Sequence, residues 1–239
     1  MPVTSFKSSL VKKEQEAIDA WKFYFRKPSS FKYEAGQYVK MKLPLKNPDN
    51  RGSSRYFTIS SSPTEEFLMI TTRILKSTFK KELGNLEMGT KVDFRGPWGD
   101  FVLDEKNTRA RVFLAGGIGI TPYHSIIKYV ADCKFTFPII LFVSYKEMSQ
   151  ILFKNEFEKI TKDNRNIRVI TTITEPKNSE WSGETGRITI ELLQKKLDNL
   201  SDNVYYIAGP DPMVDGLSKM LKDFGIPQGD ILEDGFPGY

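Results

Sequence analysis

Three glycines say most about the chemistry open to this chain. In Val112-Phe-Leu-Ala-Gly-Gly-Ile-Gly-Ile-Thr-Pro122 an apolar run ends on Gly116, Gly117 and Gly119, and the amphipathic segment Tyr123 to Val130 follows at once. A buried strand, a glycine turn and a helix in that order aim backbone N–H groups and a positive helix end at a phosphate. Glycine suits such a turn because it allows positive φ and lets a ligand lie against the backbone. Thr121 places a hydroxyl at the helix start. The spacing is not Gly-x-Gly-x-x-Gly, since Pro122 stands three after Gly119, so the ordinary dinucleotide fingerprint is not the one written here.

Other chemistry is excluded by scarcity. Cys133 is the only cysteine, which rules out an internal disulfide and a cysteine-held iron–sulfur cluster. His124 is the only histidine, which removes histidine-rich metal sites and Ser-His-Asp hydrolysis, and no metal site is expected. No apolar run approaches the ~20 residues of a membrane span. Lys12, Lys13, Glu14 and Glu16 interrupt any apolar leader, so the expected location is the cytoplasm. The net charge of +5 is uneven: residues 1–107 carry 19 Lys+Arg against 13 Asp+Glu, and residues 108–239 carry 16 against 17. A basic first half suits an acidic partner, and no nucleic-acid motif accompanies the charge.

The elements that must position these residues fall into two halves. Period-two and β-branched segments at Ala20–Phe25, Gln37–Leu43, Tyr56–Ser60, Phe67–Ile74 and Lys91–Gly96 predict a small antiparallel barrel, with one helix over Ser77–Leu83. Strands then alternate with helices. The strands are Val112–Ala115, Ile139–Ser144, Ile167–Thr174 and Val204–Ala208; the helices are Tyr123–Val130, Phe153–Thr161, Ile190–Lys196 and Met213–Phe224. That alternation predicts a doubly wound parallel sheet. The expected domains are 1–107 and 108–239, divided at the charged stretch Asp104–Thr108.

Two further motifs and the chain end complete a pattern. Arg55-Tyr-Phe-Thr-Ile-Ser60 precedes the glycine turn, Tyr205-Tyr-Ile-Ala-Gly-Pro-Asp-Pro-Met213 follows it, and the chain closes on Phe236-Pro-Gly-Tyr239. In this order the motifs resemble the ferredoxin–NADP reductase superfamily, over nearly the whole chain. The resemblance implies a flavin-binding β-barrel followed by a nucleotide-binding α/β domain. It implies FAD rather than FMN, NAD(P)H as hydride donor, and a separate electron acceptor such as an acidic ferredoxin or flavodoxin. The alternatives are an NAD(P)H:flavin or ferric reductase that treats flavin as substrate, and a flavin- or nucleotide-binding regulatory subunit without turnover.

The same resemblance assigns residues. Arg55 pairs with the cofactor pyrophosphate, as a guanidinium fork can. Phe57 replaces the family's tyrosine against the flavin ring, Thr58 supplies the hydroxyl near flavin N5, and Tyr56, between Arg55 and Phe57, alternates to the opposite face. Ile70, Thr71, Thr72 and Arg73 line the flavin. Lys76, Ser77, Thr78 and Phe79 open a phosphate-facing helix that lacks the family's glycines. Gly116, Gly117, Gly119 and Thr121 receive the nicotinamide dinucleotide pyrophosphate, and Ser144 and Lys146 could take a 2′-phosphate. Ala208 stands where many relatives have cysteine, followed by Gly209, Pro210 and Met213. The carboxylate near the reacting atoms is Glu233 or Asp234, and the ring that shields the flavin is Phe236 or Tyr239.

Overall fold

The computed structural model describes residues 1–45, 47–74, 77–176 and 181–236, which leaves Lys76 and Tyr239 outside the described residues. The chain divides into two compact units, Met1–Leu103 with His124–Asp132, and Asp104–Tyr123 with Cys133–Tyr239.

The first unit is an antiparallel six-stranded sheet built from β1 (Thr4–Ala17), β2 (Ala20–Arg26), β3 (Tyr38–Lys42), β4 (Ser54–Thr58), β5 (Phe67–Arg73) and β6 (Lys91–Trp98). The strand order is β4-β3-β6-β1-β2-β5. Helix α1 (Thr78–Asn85) covers the sheet through Phe79 and Leu83, both fully buried. The core gathers Leu10, Phe23, Phe25, Val39, Met41, Phe57, Ile70 and Phe94 around them. β2 to β6 lie where alternation places them, within a few residues at each end. The long strand β1 is additional. Its charged run hides it from a hydropathy pattern, yet those charges are satisfied across the hairpin. Lys22 of β2, almost wholly buried, lies 2.5 Å from Glu16 and 3.4 Å from Glu14, and the Tyr24 phenol donates to Glu14 at 2.6 Å.

The second unit is a parallel sheet of β7 (Ala110–Gly116), β8 (Ile139–Tyr145), β9 (Ile167–Ile173), the short β10 (Glu184–Thr185), β11 (Asn203–Gly209) and β12 (Ile231–Gly235). Its order is β10-β9-β8-β7-β11-β12. Helices α2 (Thr121–Asp132), α3 (Lys154–Asp163), α4 (Ile190–Lys196) and α5 (Asp211–Phe224) connect the strands. β7 and β8 are buried almost throughout, as a sheet covered on both faces requires. The chain runs outward from β7 to β8 and β9, then returns to β11 on the other side. That reversal makes the carboxyl ends of β7 and β11 a topological switch point, where open α/β sheets bind ligands. The terminal segment is held by β12, whose Ala208↔Asp234 and Gly209↔Gly235 pairs tie it to β11.

Candidate cofactor and nucleotide sites

In the first unit, β4 sends Arg55 and Phe57 to one side and Tyr56 to the other. Arg55 and Phe57 are 8 % exposed and Tyr56 60 % exposed, which is the alternation expected of a strand. The Arg55 guanidinium lies 5.1 Å from the centre of the Phe79 ring, and the Phe57 and Phe79 rings are 5.9 Å apart. Arg55 is already well bonded. Its Nη1 donates to the carbonyls of Arg51, Gly52 and Ser54, and its Nη2 donates to both oxygens of Asp49 at 2.8 and 3.1 Å. Arg55 therefore shapes the loop before β4 while presenting its charge beside α1. The Arg55 hydrogen bonds hold the Asp49 carboxyl below its usual range.

On β5, Ile70, Thr71 and Thr72 are buried, and Arg73 is partly covered with its Nε 3.6 Å from Asp19. Ile70 belongs to the core, while the Thr71 N–H donates to Ser60 Oγ at 3.1 Å. Thr58, 9 % exposed, ends β4 opposite Tyr38. Ser77 caps α1: its Oγ accepts the Lys80 N–H at 3.3 Å, the job of an N-cap hydroxyl. Thr78 is the first helical residue.

Lys80, which no motif flags, sits in the first turn of α1 with its side chain partly covered. Its ammonium touches Thr72 Oγ1 and lies 4.8 Å from the Phe57 ring centre. Burial, reinforced by the like charges of Arg55 and Arg51, pushes its pKa down to about 7. Arg51 and Arg55 flank the Asp49 carboxylate, and Lys80 lies near enough to both arginines to feel their charge. A cofactor carrying a pyrophosphate fits this donor set, because it supplies the negative charge the cluster lacks.

The second unit builds its site at the switch point. Gly116 ends β7 and is followed by a 3-10 turn, Gly117–Ile120, which leads into α2. Gly117 has φ +52°, a conformation glycine adopts without strain. Gly116 and Gly119 answer to packing within the chain. A Cβ on Gly116 would stand 2.2 Å from Met213 Sδ, and one on Gly119 would stand 2.3 Å from the Ala208 carbonyl oxygen. Met213 and Pro210 at the start of α5 thereby pack against the glycine turn, and Ala208 and Gly209 run alongside it. The Thr121 hydroxyl donates to the Ile118 carbonyl at 3.0 Å, so its proton is engaged inside the turn.

Ser144 stands beside Gly116 across β7 and β8. Lys146 follows β8, and its ammonium lies 3.5 Å from Glu175 at the end of β9. The two carboxylate candidates separate cleanly. Glu233 accepts from Ser218 Oγ and lies 3.6 Å from Lys222, both on α5. Asp234 points to the opposite face, where burial raises its carboxyl to about 6. Nearby Tyr123 is fully buried, and its phenol donates to the Tyr206 carbonyl at 2.8 Å. Burial, with Asp234's charge adding to it, lifts the Tyr123 phenol well above its ordinary pKa. Phe236 continues the terminal strand, donating its N–H to the Gly209 carbonyl at 2.9 Å. His124 is fully buried with Nδ1 2.7 Å from the Ser60 carbonyl oxygen, a packing residue of the first unit.

Two family models match the chain. Residues 7–103 match the oxidoreductase FAD-binding domain family, and residues 113–219 match the oxidoreductase NAD-binding domain family. Flavohemoprotein A of Dictyostelium discoideum is 27% identical over 237 residues, covering 92% of this chain and 57% of that protein. The glycine betaine monooxygenase reductase subunit of Chromohalobacter salexigens is 26% identical over 235 residues, covering 95% of this chain and 62% of that protein. The chain thus spans less than two thirds of the length of these curated relatives. Among solved structures, the Amycolatopsis cytochrome P450 reductase GcoB superposes with a TM-score of 0.86 at 18% identity, over 98% of this chain and 70% of that one. A ferredoxin NADP+ reductase from Neisseria gonorrhoeae gives 0.82 at 16% identity, over 97% and 98%. At these identities the structural likeness speaks for the fold.

Proposed function

The chain belongs to the ferredoxin–NADP reductase superfamily, and from that premise we propose that it is a flavoprotein reductase, taking reducing equivalents from NAD(P)H onto bound FAD and passing them to a separate acceptor. The observation that carries the reading is the pair of sites in one chain: a cation cluster short of anions, and a glycine turn at a parallel-sheet switch point. Residues 1–107 form the FAD-binding barrel in this reading and residues 108–239 the NAD(P)-binding domain. A cytoplasmic setting, where reduced nicotinamide nucleotides are regenerated, is part of the same proposal.

When bound, FAD supplies a ring that takes up two electrons together and releases them singly or in pairs. The chain's own residues do the rest. Arg55 would hold the pyrophosphate, and the start of α1 with Ser77 and Thr78 would add N–H and hydroxyl donors. Phe57 offers a flat apolar surface and Thr58 a hydroxyl, while Ile70, Thr71, Thr72 and Arg73 form the strand alongside. Gly117 and the start of α2 receive the nucleotide pyrophosphate, and Ser144 and Lys146 meet the adenosine ribose. Asp234, with a carboxyl near 6, is the group placed to hold or release a proton at neutral pH.

The acceptor in this proposal is an acidic redox protein such as a ferredoxin or flavodoxin. The basic surplus of the first half would speed encounter with it. Relatives named as the reductase subunit of a glycine betaine monooxygenase and the reductase component of propane 2-monooxygenase support a separate acceptor. One observation favours a second reading, in which flavin passes through as a substrate: Arg55 has a carboxylate partner of its own, Asp49. Gel filtration after mixing with FAD separates the two. A resident cofactor travels with the protein in stoichiometric amount. Loss of all flavin on the column at micromolar protein would sink the resident-cofactor reading.

A further inference from the structure

We propose that Lys80 is a phosphate ligand for the flavin, an ammonium supplied by the first turn of α1 beside Arg55. The inference rests on the flavoprotein reading above, and it concerns a residue to which neither the motifs nor the family pattern gives a role.

The side chain lies where an apolar one would be expected. It runs past Phe57, 4.8 Å from the ring centre, and ends against the Thr72 hydroxyl. Both neighbouring charges have its own sign, Arg55 and Arg51. The carboxylate of the cluster, Asp49, has both oxygens engaged by Arg55. Among the described residues Lys80 therefore has no acidic partner, only a neutral hydroxyl. A partly buried ammonium so placed is costly, and a leucine or methionine would cover the Phe57 ring without that cost. Its pKa of about 7 records the same cost. A phosphate dianion or pyrophosphate beside Arg55 reverses the balance. It gives the ammonium an opposite charge and a charge-assisted hydrogen bond, and it draws a proton onto lysines that were neutral. Arg55 holds the Asp49 carboxyl below its ordinary range, while Lys80 titrates near neutrality, so Lys80 is the group that responds.

The test is equilibrium binding of FAD, FMN and riboflavin to the full apo-chain, followed by flavin fluorescence, for the parent and for Lys80→Met. Methionine fills the slot without charge. The expected result is a tenfold or greater loss of affinity for FAD and FMN, with riboflavin changed less than twofold, and partial recovery in Lys80→Arg. Unchanged FAD and FMN affinity, or an equal loss for riboflavin, would overturn the assignment. Should Lys80→Met fail to fold, calorimetry of FAD binding to the parent at pH 7.5, in buffers of different ionisation heat, replaces it. Net proton uptake supports Lys80, and none refutes it. A parent that binds none of the three flavins contradicts the flavoprotein reading itself. A parent that binds them while Lys80→Met matches it contradicts only this inference.

Discussion

Replacing Asp234 by asparagine is expected to stabilise the chain at neutral pH and to do nothing at low pH. Burial raises the carboxyl from its ordinary value of 3.8 to about 6. Below 3.8 the aspartic acid is neutral in both folded and unfolded chains and costs nothing. Between the two values the folded state binds more protons than the unfolded one, so stability falls as pH rises. Above about 6 the full cost is present. A difference of roughly two pKa units, at 1.36 kcal/mol each, sets an upper bound of about 3 kcal/mol. Asparagine keeps the shape and carries no charge, so that amount is its greatest possible gain. Urea unfolding of parent and Asp234→Asn between pH 4 and pH 8 reads it out. The two curves should coincide near pH 4 and separate progressively through pH 6. A gap independent of pH, or an asparagine chain less stable at pH 7.5, would mean that the carboxylate has a compensating partner and that the burial argument is wrong. A stabilised variant with slower flavin reduction would mark Asp234 as a group kept for function at the expense of stability.

Gly119→Ala should unfold the second unit far more readily than Gly116→Ala. The first places a methyl 2.3 Å from a backbone oxygen, the second 2.2 Å from the end of the flexible Met213 side chain. Thermal melting should show more than the ~1–3 kcal/mol typical of overpacking for Gly119→Ala and less for Gly116→Ala. Equal losses would mean that the Met213 side chain cannot move aside. Glu175→Lys leaves Lys146 without its carboxylate and adds a second cation at the ends of β8 and β9. The ratio of NADPH to NADH affinity, from flavin difference spectra, should then rise at least tenfold, and an unchanged ratio would place the adenosine ribose elsewhere.

The two halves are legible in the sequence because their periods differ. Alternation near two marks β2 to β6, and apolar runs separated by amphipathic helices mark the parallel sheet. What escaped is instructive in physical terms. β1 carries too many charges for a hydropathy pattern, and only pairing with β2 shows that Glu14 and Glu16 neutralise Lys22. Glu233 and Asp234 are adjacent and chemically alike. The register of β12 against β11 decides which faces α5 and which turns to the partly covered opposite face, and register is a tertiary property. The glycines were readable as a turn. That Gly116 and Gly119 make room for Met213 and Ala208 was not, because the contacts join segments about ninety residues apart. Lys80 reads as one more lysine in the basic run Lys76 to Lys81, and nothing in the sequence says that its side chain lies against Phe57. A lysine directly after the candidate phosphate-facing segment Lys76–Phe79 is the signal that could have found it.

The most direct test is anaerobic mixing of the FAD-loaded chain with NADH, and separately with NADPH, in a stopped-flow spectrophotometer. Bleaching of the flavin band at a rate that saturates with nucleotide concentration is the predicted result, with colour returning when an electron acceptor is added. A flavin band that stays unbleached by either nucleotide, in a chain that demonstrably binds both, would contradict the account and leave a binding protein without turnover.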